Sequence, residues 1–544
     1  MRPTRLLAWP LVLAALLLVQ PGPAAPSGED LLVRIDAGEA ASLASDLRDG
    51  LTAIAGLRSS WLLVLSETKA KRLAEAGVGY EVLDSRPAGK AYFLVRLRTA
   101  EDWAVLPSLG RAVRLEEGTA LFWSGDREAR EILPSRMQIA RLFLDAGRPL
   151  SRPAEPVAPV AAPSDDDPLI SSLVAQVSQS RIVQTISDLE GFRTRYASTA
   201  GCESAGSYLY SEFAKLGLAV EYDDFPFAGH NGRNVVATLP GTLFPNRQVI
   251  VCGHYDSTSD VPSTLAPGAD DNASGTAGVL EIAHVLAGTP LDFTVKFVCF
   301  SAEEWGLYGS KHYANEAAIA QQDIVAVINM DMIAYPDRVP HQFDIICNEL
   351  SYYLAGSYRD NALQYAGLKA NVMLFGYWPY SDHSPFWDAG YEAVCVIENE
   401  DPLNPNYHTT NDTLSTLNTG YATLAVKASL ATTMDIARPV ETLAAPSGVI
   451  IRTQFVRSLY LWTKTVGLRW NPNAEGVVGY HVYRSTTRGG PYDQLTTSPL
   501  EGTEYTDRGL DRSVTYYYVV TALDAQGRES RPSIEVSDKD ATWN

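Results

Sequence analysis

The spacing of apolar and polar positions changes character along the chain. Over residues 30–148, short apolar runs, LLVRI (31–35), WLLVL (61–65) and AYFLVRL (91–97), are separated by polar stretches, and Ser66 to Gly77 has helical spacing. This mixture predicts a small α+β domain. Residues 149–168, PLSRPAEPVAPVAAPSDDDP, cannot bury a core and read as an extended linker. From 169 to 440, helical patterns (Leu173 to Leu189, Ser204 to Leu216) alternate with near-continuous apolar runs. These runs are RQVIVCGHYD (247–256), TVKFVCFSAEE (294–304), IVAVINMDMI (324–333) and YEAVCVIENE (391–400). Strands without polar alternation are buried on both faces, so the pattern predicts an α/β domain with a mostly parallel sheet flanked by helices. Residues 445–540 switch to short Tyr- and Thr-rich strands between turns, which predicts an all-β sandwich.

Composition changes this picture at three points. Residues 1–25 begin with Arg2 and Arg5, continue through the apolar run Leu6 to Val19, and break at small residues near Ala24 and Ala25. That order reads as a secretory signal peptide, with no membrane association after its removal. The product is expected to be secreted, to the extracellular space or the periplasm. The formal net charge of -20 argues against a nucleic-acid partner. There are five Cys, an odd number. Cys252, Cys299, Cys347 and Cys395 sit in strand-like runs and read as small core residues, whereas Cys202 lies in a loop-like stretch and reads as reactive or paired.

Candidate chemistry is confined to 169–440, where polar clusters follow the predicted strands. They are His254 and Asp256 in GHYDS, Asp270 and Asp271 in PGADDNASG, Glu303 and Glu304 in SAEEWG, Asp331 in INMDM, and Tyr407 and His408 in YHTTNDT. Imidazoles and carboxylates together are ligands for zinc or a similar dication. Such a set can hold two ions around an activated water, with a spare carboxylate moving its proton. The adjacent Glu303 and Glu304 could divide the base and ligand roles. The region 30–148 has no His and reads as a pro-segment shielding the site or as an accessory domain.

In order and spacing, these clusters resemble the co-catalytic zinc aminopeptidase family of the secreted leucyl-aminopeptidase type. The resemblance runs from about 180 to 435 and includes NVVATLPG (234–241). It implies two Zn2+ ions, one held by His254 and Asp331, the other by Glu304 and His408, with Asp271 between them. Asp271 is chosen over Asp270 because it directly precedes the N-A-S-G stretch. Glu303 would be the general base, Asp256 would orient His254, and Tyr407 would stabilise the oxyanion. Asp382 and His383 in PYSDHSPFWDAG (379–390) are read as loop-stabilising, not as ligands. His230, His284, His312, His341 and His481 are read as incidental. The C-terminal segment resembles a fibronectin type III module, with Trp470 as its core tryptophan and Tyr516, six residues after Leu510, as its tyrosine corner. That implies a binding or spacing module rather than chemistry, with a polysaccharide or a surface as the contact where it binds.

The expected function is removal of N-terminal residues from peptide or protein substrates. Alternatives are carboxypeptidase, dipeptidase or glutaminyl-cyclase chemistry on the same scaffold, or a catalytically silent extracellular binding protein. A carboxypeptidase needs a base to grip a carboxylate, and Arg359 and Lys369 are the candidates for it.

Overall fold

The computed structural model describes residues 30–539 apart from 42, 44–50, 58, 117, 145–147, 150–166, 337–340, 376–377, 400–402, 438–442, 444, 458–461, 474–475, 489–491, 526–528 and 531. The expected signal peptide, 1–25, and most of the expected linker lie outside the described residues.

One eight-stranded sheet organises residues 219–398. Its strands are β1 (Ala219–Phe227), β2 (His230–Leu239), β3 (Phe244–His254), β4 (Phe293–Phe300), β5 (Asp323–Met330), β6 (Gln342–Cys347), β7 (Lys369–Leu374) and β8 (Ala393–Glu398). They lie in the order β1-β2-β4-β3-β5-β8-β6-β7. The centre, β4-β3-β5-β8, is parallel. The β1-β2, β2-β4 and β6-β8 pairs are antiparallel, so the sheet is mixed where a mostly parallel one was expected. The β1-β2 pair is a hairpin turned at Ala228-Gly229, and a tight hairpin can only be antiparallel.

The apolar runs of the central strands have a direct cause. Val249 and Val251 pack into the core on one face, while Ile250 and Cys252 pack into the core on the other. All four are fully buried, each aliphatic side chain contributing roughly 1.5–3 kcal/mol by leaving water. The first face carries α1 (Pro168–Val174), α2 (Gln179–Glu190), α3 (Ala200–Lys215), α4 (Gly275–Leu286), α6 (Tyr352–Ala366) and α7 (Thr419–Ala437). The second carries α5 (Tyr308–Ile319) and a short helix, Ser384–Asp388.

Two local expectations are corrected. The helix expected over Leu173 to Leu189 is two helices, α1 and α2. The Ser178 N–H leaves the helical ladder and donates to Glu281 Oε1 at 2.6 Å, while the Ser178 hydroxyl caps α2. A tertiary partner on α4 therefore places the break. Cys202 is not in a loop but in the first turn of α3, buried, with burial pushing its thiol up to about 12. It is an inert core residue, and all five cysteines are free and buried.

The N-terminal region forms two small sheets. One contains Asp30–Asp36, Thr52–Gly56, Ser60–Ser66, Tyr80–Asp84 and Arg148–Pro149; the other contains Tyr92–Arg96, Arg111–Glu116, Thr119–Trp123 and Ile139–Leu142. The expected helix after Ser66 is Glu67–Glu75, capped by the Ser66 hydroxyl. At the other end of the chain, Ser447–Arg457, Trp462–Asn471 and Glu504–Leu510 form one antiparallel sheet. Gly479–Ser485, Asp493–Gln494, Tyr517–Leu523 and Val536–Ser537 form a second. Trp470, Tyr480, Val482, Tyr516 and Tyr518 share the core of this region. The Tyr516 hydroxyl accepts from the Asp511 N–H at 3.3 Å. Tyr483 docks the region on the large sheet, its ring 4.6 Å from that of Phe244. Among the described residues, no helix is long and apolar enough to cross a membrane.

Candidate metal centre

The carboxyl ends of β3, β4 and β5 converge, which is where open α/β sheets place their sites. His254 is the last residue of β3, Asp331 follows β5, and Glu303 and Glu304 lie just beyond β4. Asp271 enters on the turn before α4, and His408 on the loop between β8 and α7. Close approach is enabled at Gly253, where a Cβ would stand 2.8 Å from the Met330 carbonyl. Ala302, Leu307, Met332 and His408 all have positive φ. Such conformations cost about 1–3 kcal/mol each for residues with side chains, and here they turn the ligand loops inward.

The two oxygens of Asp271 face different histidines. Oδ1 is 3.3 Å from His254 Nε2, and Oδ2 is 2.9 Å from His408 Nε2. His254 Nε2 is also 3.3 Å from Asp331 Oδ1, and His408 Nε2 is 3.0 Å from Glu304 Oε2. Two clusters result: His254, Glu303 and Asp331, and Asp271, Glu304 and His408. Glu303 Oε2 is farther out, 4.0 Å from His254 Nε2. Asp270 is directed away, accepting from the Ala334 N–H at 2.9 Å and from Asn404 Nδ2 at 2.8 Å.

Surrounding groups hold these side chains in place. His254 Nδ1 is 3.1 Å from the Asp256 backbone carbonyl and 3.6 Å from its carboxylate. That carboxylate instead accepts from the Glu303 and Glu304 N–H groups, at 3.1 and 3.3 Å. Asp256 thus holds β3 and the β4 turn together, a wider part than orienting His254 alone. The Asp412 carboxylate accepts the N–H groups of Asp270 (2.9 Å) and Asp271 (3.0 Å). The Tyr407 ring stacks on His408 at 3.7 Å and borders the space between the clusters.

The electrostatics follow from burial among like charges. Burial pushes the Glu303 carboxyl well above the usual range, with His254 opposing and Glu304, Asp382 and Asp331 adding to it. Burial also raises Glu304, against the pull of His408. It raises Asp271 too, but both histidines overcome it and hold Asp271 below its ordinary value. Burial alone would lower both imidazoles. Glu303 and Asp331 raise His254 well above its ordinary value, and Glu304 and Asp271 raise His408 to about 9. Carboxylates crowded around two imidazoles call for positive charge between them. Glu304 Oε1 and Asp331 Oδ1 are buried without a hydrogen-bond partner, an arrangement that a bound cation satisfies. The donor set of histidine and carboxylate, with no thiol, fits zinc in an open catalytic geometry.

The loop 379–390 packs beside the centre. The Asp382 carboxyl is buried, and burial raises it to about 7 against the opposing pull of His254 and Ser310. His383 packs between the rings of Trp378 and Trp387, and burial lowers it to about 3. The His383 carbonyl accepts from the Phe386 and Trp387 N–H groups at 3.2 and 3.3 Å. Ser381, not singled out from the sequence, ties the loop to β5: its hydroxyl donates to Asp331 Oδ2 at 2.5 Å and accepts from Asn329 Nδ2 at 2.7 Å. Its only sequence signal was membership of that loop. Arg359 pairs with Asp360, Lys369 opens the edge strand β7, and neither borders the centre. Arg130, Gln138 and Ile139 of the N-terminal region do border it, and none of the three was singled out from the sequence.

Fold and site together define the class: a metal-dependent hydrolase on a mixed α/β sheet. Residues 234–433 match Peptidase family M28. A probable leucine aminopeptidase of Trichophyton verrucosum is 30% identical over 267 residues, covering 46% of this chain and 69% of that protein. A probable zinc metalloprotease of Pyrenophora tritici-repentis is 27% identical over 387 residues, covering 59% and 86%. The LapA aminopeptidase of Legionella pneumophila aligns in structure over 76% of this chain and 100% of its own, with a TM-score of 0.49 at 16% identity. The chain belongs to Peptidase family M28 and is a metallopeptidase.

Proposed function

We propose that the chain is a secreted aminopeptidase that uses two zinc ions to release N-terminal residues from peptides. The observation that carries this is Asp271, whose two oxygens face His254 and His408 separately, the disposition of a bridging ligand. His254 and Asp331 would hold one ion, and Glu304 and His408 the other. Bound zinc supplies Lewis acidity toward a carbonyl oxygen and lowers the pKa of water. Glu303, standing off from the closest pairs, accepts the proton of the attacking water and returns it to the leaving amine. The Tyr407 hydroxyl, kept protonated by burial, donates to the oxyanion. The surrounding carboxylates favour a cationic α-amino group. The names of the aminopeptidase and zinc relatives support this reading.

Export rests on the order of charged, apolar and small residues in 1–25. The two-sheet C-terminal region, with Trp470 in its core and Tyr516 bonded to Asp511, supports a fibronectin type III-like module for polysaccharide or surface contact.

The test is hydrolysis of one peptide with a free or an acetylated N-terminus, with chelated protein as the blank. Cleavage of the free peptide alone, lost on chelation, is expected. Cleavage of both peptides would replace the aminopeptidase reading with a carboxypeptidase or endopeptidase one.

A further inference from the structure

A second cavity lies at the end of the large sheet opposite the metal ligands. Its volume is about 330 Å³, within the size range of small-molecule sites. Its floor is formed at the amino ends of the central strands by Arg247 near the start of β3, Phe293 opening β4, Asp323 opening β5 and Glu392 just before β8. The C-terminal region closes it with His481 and Glu529. Seven steps of β3 separate Arg247 from His254, which puts the cavity roughly 23 Å from the metal centre.

The charges around this cavity do not balance. Among its described lining residues, Arg247 is the one guanidinium or ammonium group, against the carboxylates of Asp323, Glu392, Asp435 and Glu529. Arg247 is already engaged: Nη1 pairs with Glu529 and donates to the Tyr483 hydroxyl at 2.8 Å, and Nε lies 3.4 Å from Asp323 Oδ2. Asp435 accepts from Ser357 Oγ at 3.0 Å and from Asn361 Nδ2 at 3.3 Å. Among the described residues, no hydrogen bond or ion pair meets the Glu392 carboxylate, and burial raises it to about 7. A carboxylate withdrawn from water is stabilised by an opposite charge beside it.

A hydrogen-bond donor lines the same space. His481 is 6% exposed. Gln494 Nε2 donates to its Nδ1 at 3.1 Å and to the Thr496 carbonyl at 2.6 Å. An amide nitrogen only donates, so Nδ1 is the acceptor and the ring proton sits on Nε2. Burial, with Arg247 adding to it, lowers His481 to about 4, which keeps the ring neutral. Among the described residues, none accepts from Nε2.

We propose that this cavity binds a small organic ammonium ion with an apolar body. The nitrogen pairs with Glu392, the carbons lie among Leu350, Leu354 and Ile436, and a second polar group, where the ligand has one, accepts from His481 Nε2. The site is distinct from the metal centre, and its occupancy does not depend on peptidase chemistry.

The experiment is calorimetric titration of the zinc-loaded full chain with isopentylamine, leucine and isopentanol. All three carry the same branched apolar end; the first two carry the ammonium, and leucine adds a carboxylate. Isopentylamine is expected to bind at least about tenfold more tightly than isopentanol, the size of a charge-assisted contact. Glu392→Gln should remove most of that difference. Leu350→Trp, which enlarges a half-exposed side chain of the lining, should weaken the amine about tenfold. Leucine binding more tightly than the amine identifies the ligand as a free amino acid; leucine binding more weakly identifies it as a simple amine. Equal affinity for amine and alcohol overturns the proposal. So does unchanged amine affinity in Glu392→Gln, because the amine would then sit at the metal centre or elsewhere. If Glu392→Gln does not fold, Leu350→Trp decides in the same way.

Discussion

The two halves of the metal centre are held by different parts of the molecule. On the His254 side, the supports among the described residues come from the peptidase region: Asp256 beside the imidazole, Thr276 of α4 donating to the His254 carbonyl at 2.7 Å, and Ser381 on Asp331. On the His408 side, the ring nitrogen facing away from the cluster meets Ser135, and Glu304 is gripped by Arg130, both from the N-terminal region. One half is therefore complete within the peptidase region, and the other borrows contacts from a segment more than a hundred residues away in sequence.

The comparison can be broken or sharpened by substitution. The largest effect is expected from Asp271→Ala, which removes the residue shared by the halves. Metal content should fall below one ion per chain and activity to the chelated level; retention of both ions would dissolve the bridging assignment. Glu303→Gln comes next. It should keep the metals and lose about 10²–10⁴-fold in kcat. Comparable metal loss would instead make Glu303, which clusters with His254 and Asp331, a ligand.

Ser381→Ala should act on one half alone. The His254 side should bind metal about 10–100-fold more weakly in a two-step titration, with the second step unmoved. Equal weakening of both steps would mean that the halves are not independently held.

The smallest effect is a control away from the centre. Glu392 immediately precedes β8, and burial raises its carboxyl from 4.5 to about 7. The folded chain keeps a proton there that the unfolded chain releases, so stability falls as pH rises from about 4.5 through about 7. Glu392→Gln should raise Tm by about 2–4 °C at high pH and leave it unchanged at low pH. A gain independent of pH would assign the effect to packing.

Much of the peptidase region was legible because its signals are local. Buried central strands need unbroken apolar runs, and ligands fall at their carboxyl ends, so His254, Asp331, Glu303 and Glu304 could be found by position alone. In the sequence, Asp271 is distinguished from Asp270 only by its place before the N-A-S-G stretch. What separates them in space is that Asp270 turns toward Ala334 and Asn404 while Asp271 turns between the histidines. The break between α1 and α2 was hidden for the same reason, because its cause is Glu281 on a distant helix.

The sequence by itself determined the alternation of helix and strand, the chemistry of the donor set and its order along the chain, since these depend on neighbouring residues and side-chain type. Only the tertiary structure decided which antiparallel strands flank the parallel centre, that Ser381 rather than Asp382 or His383 reaches Asp331, and that Arg130 stands over Glu304. Those outcomes depend on contacts between segments far apart in the chain. A single arginine in a region without histidine carries no local mark of the carboxylate it will meet.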